Sequence, residues 1–588
     1  MSQPQTMCEA FQATSAVQPD AVALRTPDGA VSITWREYAD RVRRIAAGLA
    51  GLGVKRGDTV GIMLTNRPEF HLVDTGALHV GAIPFSIYNS NPPEAIHYLF
   101  SNAENRIVVT ERQFVERLRQ GQTDSQVEHV ICVDGESPGA MTLDDLEASG
   151  DPEFAFEASW RAVRPDDVLT IIYTSGTTGP PKGVELTHAN LLAEVNALQT
   201  TLPIGHSDRV LSYLPDAHIA NRWGAHYNNL VHGMQITTVA DLKQVVATLP
   251  SVRPTFFGAV PQTWYKVKAG IEAALNAEPS AAKRRLATWA IETGKAVAWL
   301  TSDRKPVPLS LRLRHGLADR LVLSKLRAKL GLDEVRVCVT GAAPIAPDAL
   351  TFMLGLGLPV CEVWGMSELS AVATLNRPNA IRIGTVGQVV PGSEAKIAED
   401  GELLVRGPLV MKGYRKDPEK TAETIDADGW LHTGDIASMD ADGYVSIVDR
   451  KKELIINASG KNMAPSNIEG AIKVACPLIG SAVAIGDNRP YVSALLVLDP
   501  DSAAAYAANK GLTDDSIPGL VEHPAVKAAI EAGIAEANRN LSQVERVRRY
   551  TVLPTAWEPG GDEITPTMKL KRRPIAEKYA AEIEAMYA

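Results

Sequence analysis

The stretch VLTIIYTSGTTGPPKGVELTHANLLAEVNAL, residues 168–198, decides how the chain is read. It opens with an apolar run, Val168–Thr174, that reads as a buried strand. It then passes through Ser175, Gly176, Thr177, Thr178 and Gly179, which cannot pack a core. It closes on a helical pattern from Thr187, a residue suited to capping a helix. A strand, a loop of glycine and hydroxyl residues with a lysine, and a helix make a phosphate-binding arrangement. Glycines let the backbone approach closely, so N–H groups and hydroxyls can point at phosphate oxygens. Lys182 adds positive charge, and Pro180 and Pro181 stiffen one end. A flexible linker would rarely carry a lysine between a buried strand and a helix. A Walker A loop is excluded by spacing, because Pro181 and Gly183 flank the lysine and no hydroxyl follows it.

Working outward, 588 residues predict two to four domains. Hydrophobic residues make up 45% and charged residues 22%, enough to build a large core. A net charge of -10 argues against general nucleic-acid binding. Five scattered cysteines without a CxxC argue against a disulfide framework or a zinc site and for a reducing compartment. No basic-then-apolar leader opens the sequence, and no run of about 18 apolar residues occurs. A cytoplasmic location is expected.

Up to about residue 385, helical patterns such as REYADRVRRIAAGLAGLGV (36–54) alternate with short apolar runs such as TVGIMLTN (59–66). That alternation predicts an α/β fold of stacked layers with largely parallel sheets. From about 385 to 449 short strands are broken by turns such as AEDG (398–401) and DADG (440–443), which reads as a small β-subdomain. A boundary is placed at about 450. Residues 1–449 then form a large N-terminal domain and 450–588 a smaller C-terminal α/β domain.

The segment from Tyr173 to Gly183 resembles the phosphate loop of the adenylate-forming superfamily, which includes acyl-CoA synthetases, peptide-synthetase adenylation domains and luciferases. Four more segments follow in that family's order, so the resemblance spans nearly the whole chain. It implies that Thr174 to Gly179 and Lys182 hold the ATP phosphates. VTGAAPIAP (339–347) implies that Gly341, Ala342, Ala343 and Pro344 line the adenine and acyl pocket, where small residues leave room for a flat base. EVWGMSE (362–368) resembles Y-G-x-T-E. It places Glu362, Val363, Trp364, Gly365 and Met366 around the nucleotide, with Trp364 as an aromatic face for adenine. Ser367 is implied at the α-phosphate and Glu368 as a Mg²⁺ ligand, the kind of hard carboxylate that ion takes. GWLHTGDIA (429–437) implies Asp435 as acceptor for the ribose hydroxyls, with Arg450 near the nucleotide and Lys452 at an interdomain hinge. TPTMKLKRRPI (565–575) implies Lys569 as the catalytic lysine. Charge alone would not separate it from Lys571, Arg572 and Arg573.

The implied reaction has two halves. A carboxylate attacks the α-phosphate of ATP to give an acyl-adenylate and pyrophosphate, then a thiol displaces AMP. In the family the C-terminal domain rotates between the halves, so the small domain is expected to be mobile. NASGKNMAPSNIE (457–469) and LPDAHIANRW (214–223) resemble long-chain acyl-CoA synthetases, and the W-G-M-S-E variant resembles their bubblegum-type branch. A long-chain fatty acid is the expected acid and CoA the expected thiol. His218 is expected to line the acyl pocket, Trp223 to gate it, and Ser459, Gly460 and Lys461 to serve the acyl or CoA side. Asp216 stands where relatives carry an apolar residue. No carrier-attachment motif occurs in the chain. An acyl-AMP ligase, a ligase for another carboxylic acid, and a lipid- or nucleotide-binding protein without catalysis remain alternatives. Retention of Lys569, Glu368, Asp435 and Arg450 argues against the last. Residues 312–329 carry Arg312, Arg314, Arg320, Lys325, Arg327 and Lys329 against Asp319, with Leu317, Leu321 and Leu330 at helical spacing. Such a helix suits a membrane surface, CoA phosphates or plain solvent. The oligomeric state, a homodimer included, stays open.

Overall fold

The protein is described by a computed structural model covering residues 3–174, 180–457, 462–565 and 568–588. Its first large sheet has five strands, all parallel, in the spatial order Ile83–Ser86, Thr59–Met63, Ile107–Thr110, His129–Cys132 and Met141–Thr142. Every residue of Thr59–Met63 is buried. That is why it reads as an unbroken apolar run rather than an alternating one: helices cover both faces of a parallel sheet. A second sheet runs parallel through Phe256–Ala259, Val337–Thr340 and Val360–Trp364, then adds Thr374–Leu375 and Gln388–Val389 antiparallel. A third joins Arg209–Ser212, Gln235–Thr238 and Val22–Arg25 in parallel, with Ser32–Thr34 antiparallel at its edge.

The opening stretch departs from its reading in one respect. Val168–Thr174 does not lead through the loop straight into a helix. The chain returns as a second strand, Lys182–Thr187, antiparallel to the first, with Thr174 opposite Lys182. Gly183, Val184, Leu186 and Thr187 are buried and only Lys182 and Glu185 are half-buried, as for a strand covered on both faces over much of its length. The helix His188–Gln199 begins only afterwards. Thr187 caps it, with its hydroxyl accepting from Asn190 N and the Asn190 side chain accepting from Thr187 N.

Glu394–Ile397, Glu402–Arg406, Leu431–Met439 and Val445–Arg450 form a four-stranded antiparallel sheet over Leu403, Val405, Leu431 and Val445. Its last turn is DADG: Gly443 takes φ +79°, and Asp440 accepts from the backbone N–H of Asp442 and Tyr444. Beyond it, Ile479–Ile485 and Val492–Leu498 pair antiparallel and Val547–Val552 joins in parallel. Ile468, Ile472 and Ile530 cover one face of this sheet, and Trp557, Ile564 and Ile575 the other. Both apolar clusters draw only on residues from 455 onward. All five cysteines are buried and free. Among the described residues, no helix is long and apolar enough to cross a membrane.

Candidate active site

The strand Val360–Trp364 delivers the EVWGMSE segment to the site. Gly365 is obligatory there, since a Cβ on it would lie 1.9 Å from the carbonyl oxygen of Ala371. Gly341, at the end of Val337–Thr340, is similarly confined: a Cβ would meet Val363 at 2.8 Å. Ala342 follows at φ +67°, and residues 342–344 are exposed. The turn therefore offers open backbone with no large side chain, the surface a flat base needs. Glu362, beside it, is buried. Burial pushes its carboxyl up to about 8, held back by a hydrogen bond with the backbone of Ile345. That hydrogen bond braces the turn. Val363 pairs with Leu375, and Met366 packs on the core of the four-stranded sheet.

Trp364 does more than present a ring. Its Nε1–H donates to Asp435 Oδ2 at 2.8 Å. The other oxygen, Oδ1, accepts from Arg450 Nε at 2.8 Å. Asp435 and Arg450 face each other across antiparallel strands, which fixes that pair. Asp435 is buried, and burial raises its pKa, opposed by Arg450 and by the Trp364 hydrogen bond.

Ser367 and Glu368 sit in a buried 3₁₀ turn. Glu368 Oε1 accepts from the Tyr414 hydroxyl at 2.8 Å, and Lys182 Nζ lies 5.0 Å from the centre of the Tyr414 ring. Burial lowers the pKa of Lys182, with Lys420 adding to the effect and Glu368 opposing it. Tyr414 was not anticipated from the sequence. The Gly413–Tyr414 strand pairs with Lys182–Thr187, and only that contact brings it to the site. Behind Lys182 lies a cavity of about 250 Å³ lined by Tyr98, Asn102, Pro181, Tyr414 and Arg415.

Lys569 arrives from the far end of the chain. A tight turn holds it: Lys569 N donates to Thr565 Oγ1, Thr565 N donates to Lys569 O, and Met568 takes φ +64°. Water reaches Lys569, yet protein crowds it. Desolvation lowers its pKa and Arg450 lowers it further, opposed by Asp435, Glu368 and Glu453. Its basic neighbours are occupied elsewhere: Lys571 donates to Gly561 O, Arg572 pairs with Glu453 and Glu469, and Arg573 with Glu577. Lys452 is exposed in the turn between Arg450 and Glu453 and forms no ion pair among the described residues.

His218 lies close enough to Lys569 to feel its charge. Burial first, and then Lys569, push its pKa down to about 3, so the ring is neutral. Nδ1 accepts from Ala220 N at 3.1 Å, which leaves Nε2 to carry the proton. Trp223 is buried in the main core, packed edge-on against Phe256 with ring centres 6.2 Å apart. Asp216 is buried and accepts from Asn221 at 2.6 Å and Asn66 at 3.3 Å; burial pushes its carboxyl up to about 8. Next to it Arg222, fully buried, bonds Asp74 at 2.6 Å, and His226 bonds the other Asp74 oxygen at 2.9 Å. Ser175, Gly176, Thr177, Thr178 and Gly179 lie outside the described residues, as do Ser459, Gly460 and Lys461. Thr174 is described, at the last position of its strand.

Residues 11–415 match the profile of the AMP-binding enzyme family, and residues 452–588 match that of the AMP-binding enzyme C-terminal domain. The chain belongs to the AMP-binding enzyme family. A Mycobacterium tuberculosis relative named as a fatty-acid–CoA ligase, fadD11, is 55% identical over 77% of this chain and 79% of its own length. The long-chain-fatty-acid–CoA ligase FadD15 of the same species is 36% identical over 97% of this chain and 95% of its own. The human long-chain-fatty-acid–CoA ligase ACSBG1 is 32% identical over 96% and 83%. Among solved structures, the adenylation domain of a carboxylate reductase from Mycobacterium chelonae aligns over 100% of this chain and 92% of its own, with a TM-score of 0.76 and 19% identity. The anthranilate CoA ligase AuaEII, in complex with anthranoyl-AMP, aligns over 98% of both chains at a TM-score of 0.74 and 20% identity. These two establish the shared α/β fold of the AMP-binding family.

Proposed function

We propose that the protein is an ATP-dependent long-chain fatty acid–CoA ligase. It would form an acyl-adenylate with release of pyrophosphate, then pass the acyl group to CoA with release of AMP. The observation that carries this reading is the convergence of Lys569 with Arg450, Asp435 and Glu368. Segments separated by some 200 residues of sequence come together there, in an arrangement that suits a charged, multi-part substrate. The curated relatives supply the acid and the thiol. The division into an N-terminal domain of residues 1–449, with its β-subdomain from about 385, and a C-terminal domain of 450–588 belongs to the same reading.

The carboxylate oxygen of the fatty acid attacks the α-phosphorus as the bond to pyrophosphate breaks. Two anions meet, so the barrier is mainly electrostatic. Lys569 places a positive charge where negative charge grows, and Lys182 does so at the leaving phosphates. Asp435, held by Trp364 and Arg450, accepts from the ribose. His218, neutral with its proton on Nε2, donates rather than repels on the acyl side.

The donor set at Glu368 fits a magnesium ion. One oxygen is engaged by Tyr414, and the other accepts no hydrogen bond from a side chain among the described residues. No group of three or more His, Cys, Asp or Glu side chains among the described residues could hold an ion unaided. The remaining ligands would be phosphate and water, as magnesium prefers. When bound, it would neutralise phosphate charge.

The test is an ATP-dependent assay with fatty acids from short to very long, with and without CoA, following AMP and acyl-CoA. Acyl-CoA with a long-chain optimum is expected. Acyl-AMP alone would make the protein an acyl-AMP ligase, and no AMP from any fatty acid would overturn the substrate. Lys569→Ala is expected to slow adenylation by roughly 10²–10³-fold, while CoA still reacts with supplied acyl-adenylate. Adenylation at the wild-type rate would reject the role of Lys569.

A further inference from the structure

A ridge of bare leucine runs along one long helix. The helix Leu309–Ala318 continues through a wide turn, Asp319–Leu323, into Ser324–Leu330. Its inner side packs on the core: Ala318 and Leu323 are buried, and Val322, Leu326 and Leu330 lie partly buried against the same cluster. Its outer side carries Leu309, Leu313, Leu317 and Leu321, between 40% and 72% exposed. Residues four apart are neighbours on a helix, so the four side chains form one continuous ridge. The helix Ala281–Ser302 packs against this helix and carries Trp299, 52% exposed. Scattered exposed leucines need no explanation; a contiguous ridge with a tryptophan does.

The charges around it decide what covers it. Arg312, Arg314, Arg320, Lys325 and Lys329 are exposed, and none ion-pairs with a carboxylate among the described residues. The acidic residue within the helix, Asp319, is spoken for by Arg327. A chain of net charge -10 thus gathers five free cations beside its exposed leucine ridge. A second copy would bring the same cations against these, and like charges would face each other across the seam. A surface of fixed negative charge over hydrocarbon matches both features. Tryptophan is the side chain most at home at that boundary.

We propose that this helix pair is a docking face for an anionic lipid membrane, with the leucine ridge set among the acyl chains and the five cations at the phosphate level. The orientation follows from the inner packing: the helix lies flat, and the protein sits on the membrane rather than across it. The inference stands on exposure and charge. It is separable from the proposed reaction, which is read in solution without vesicles.

The experiment is flotation of the full-length protein with vesicles of phosphatidylcholine alone or of phosphatidylcholine with phosphatidylglycerol. Recovery with the anionic vesicles is expected, with salt reducing it. Leu313→Glu/Leu317→Glu is expected to cut recovery roughly tenfold while leaving ATP- and fatty-acid-dependent AMP release in solution unchanged. Arg312→Glu/Arg320→Glu is expected to abolish the preference for anionic lipid. No flotation of the wild type, or flotation that both double variants leave intact, would overturn the proposal. So would a wild-type dimer in solution that Leu313→Glu/Leu317→Glu converts to monomer, since the ridge would then be an interface between copies.

Discussion

Trp364 joins an aromatic ring to a hydrogen-bond donor, and Phe separates the two. Trp364→Phe keeps the ring, proposed to face adenine, and removes the Nε1–H that holds Asp435. A hydrogen bond to a charged group contributes on the order of 1.5–3 kcal/mol. The variant is expected to raise KM for ATP roughly tenfold and to lower the melting temperature slightly; an unchanged KM would reject the bond's role in holding Asp435 for ATP. Asp216 permits a pH prediction. In the fold its carboxyl keeps its proton up to about pH 8, whereas the unfolded chain releases it near the ordinary 3.8. Folding takes up a proton between those values, so this group's contribution to stability falls as pH rises across that window. Asp216→Asn removes the titration. Whatever fixed cost its amide brings, the melting temperature of the variant minus that of the wild type is expected to rise from about pH 5 to about pH 8 and then level off. A flat difference would mean that Asp216 is ionised in the fold. At this scale the sequence singled out Lys569, Asp435 and Glu368 by motif, and the fold brings the two carboxylates within electrostatic reach of the lysine. The sequence was silent where a partner is chosen by folding. Tyr414 reaches Glu368 only because Gly413–Tyr414 pairs with the strand after the phosphate loop. Nothing in the local sequence of Trp364 announces Asp435.

The hairpin that returns through Lys182–Thr187 shows why elements were harder to read than residues. Six residues starting with Lys-Gly and ending at a cap leave only Val184, Glu185 and Leu186 to show a strand period. Turn residues and the following helix cap dominate that window. What forms the strand is pairing with Val168–Thr174 on one side and Gly413–Tyr414 on the other, contacts that local propensity does not contain. The parallel core strands were legible for the opposite reason: burial on both faces makes them unbroken apolar runs. The turn at Lys451–Glu453 is the element on which the proposed two-step cycle depends. Lys451 is anchored to Asp400 and Glu402, and Glu453 to Arg572, leaving Lys452 between two fixed neighbours. Proline there would lock φ in a turn that must change conformation if the C-terminal part rotates. Lys452→Pro is expected to leave AMP formation from fatty acid and ATP within about twofold while slowing acyl transfer to CoA by at least roughly tenfold. Equal loss in the two half-reactions would reject a hinge at this position.

At the scale of the molecule, exposed ion pairs are among the contacts that join the C-terminal part to the rest. Lys266 reaches Asp501 at 3.3 Å and Asp499 at 3.7 Å, and Lys243 lies 4.0 Å from Asp501. Elsewhere the loop Glu558–Gly561 meets residues 89–93 at one close point, where a Cβ on Gly560 would lie 2.5 Å from Ser90 Oγ, beside an open cleft of about 660 Å³. The two apolar clusters beyond residue 455 draw on no residue before it. An interface of this kind can hold an orientation and still release it. Asp499 is less suited to a test, because its other oxygen caps a helix through Ser502 N; Asp501 makes no such bond among the described residues. Asp501→Lys sets three cations against one another at the surface. Exposed pairs contribute about 0.2–1 kcal/mol each, so without the two that Asp501 makes the orientation that brings Lys569 to Arg450 and Asp435 would lose up to about thirtyfold in population. The expected result is a matching fall in the rate of adenylation, no fall in acyl transfer to CoA, and convergence with wild type at high salt. Lys266→Asp combined with Asp501→Lys is expected to recover most of the rate. If the single variant slowed both half-reactions alike, or if the reversed pair stayed as slow as the single, these ion pairs would have no part in setting the orientation.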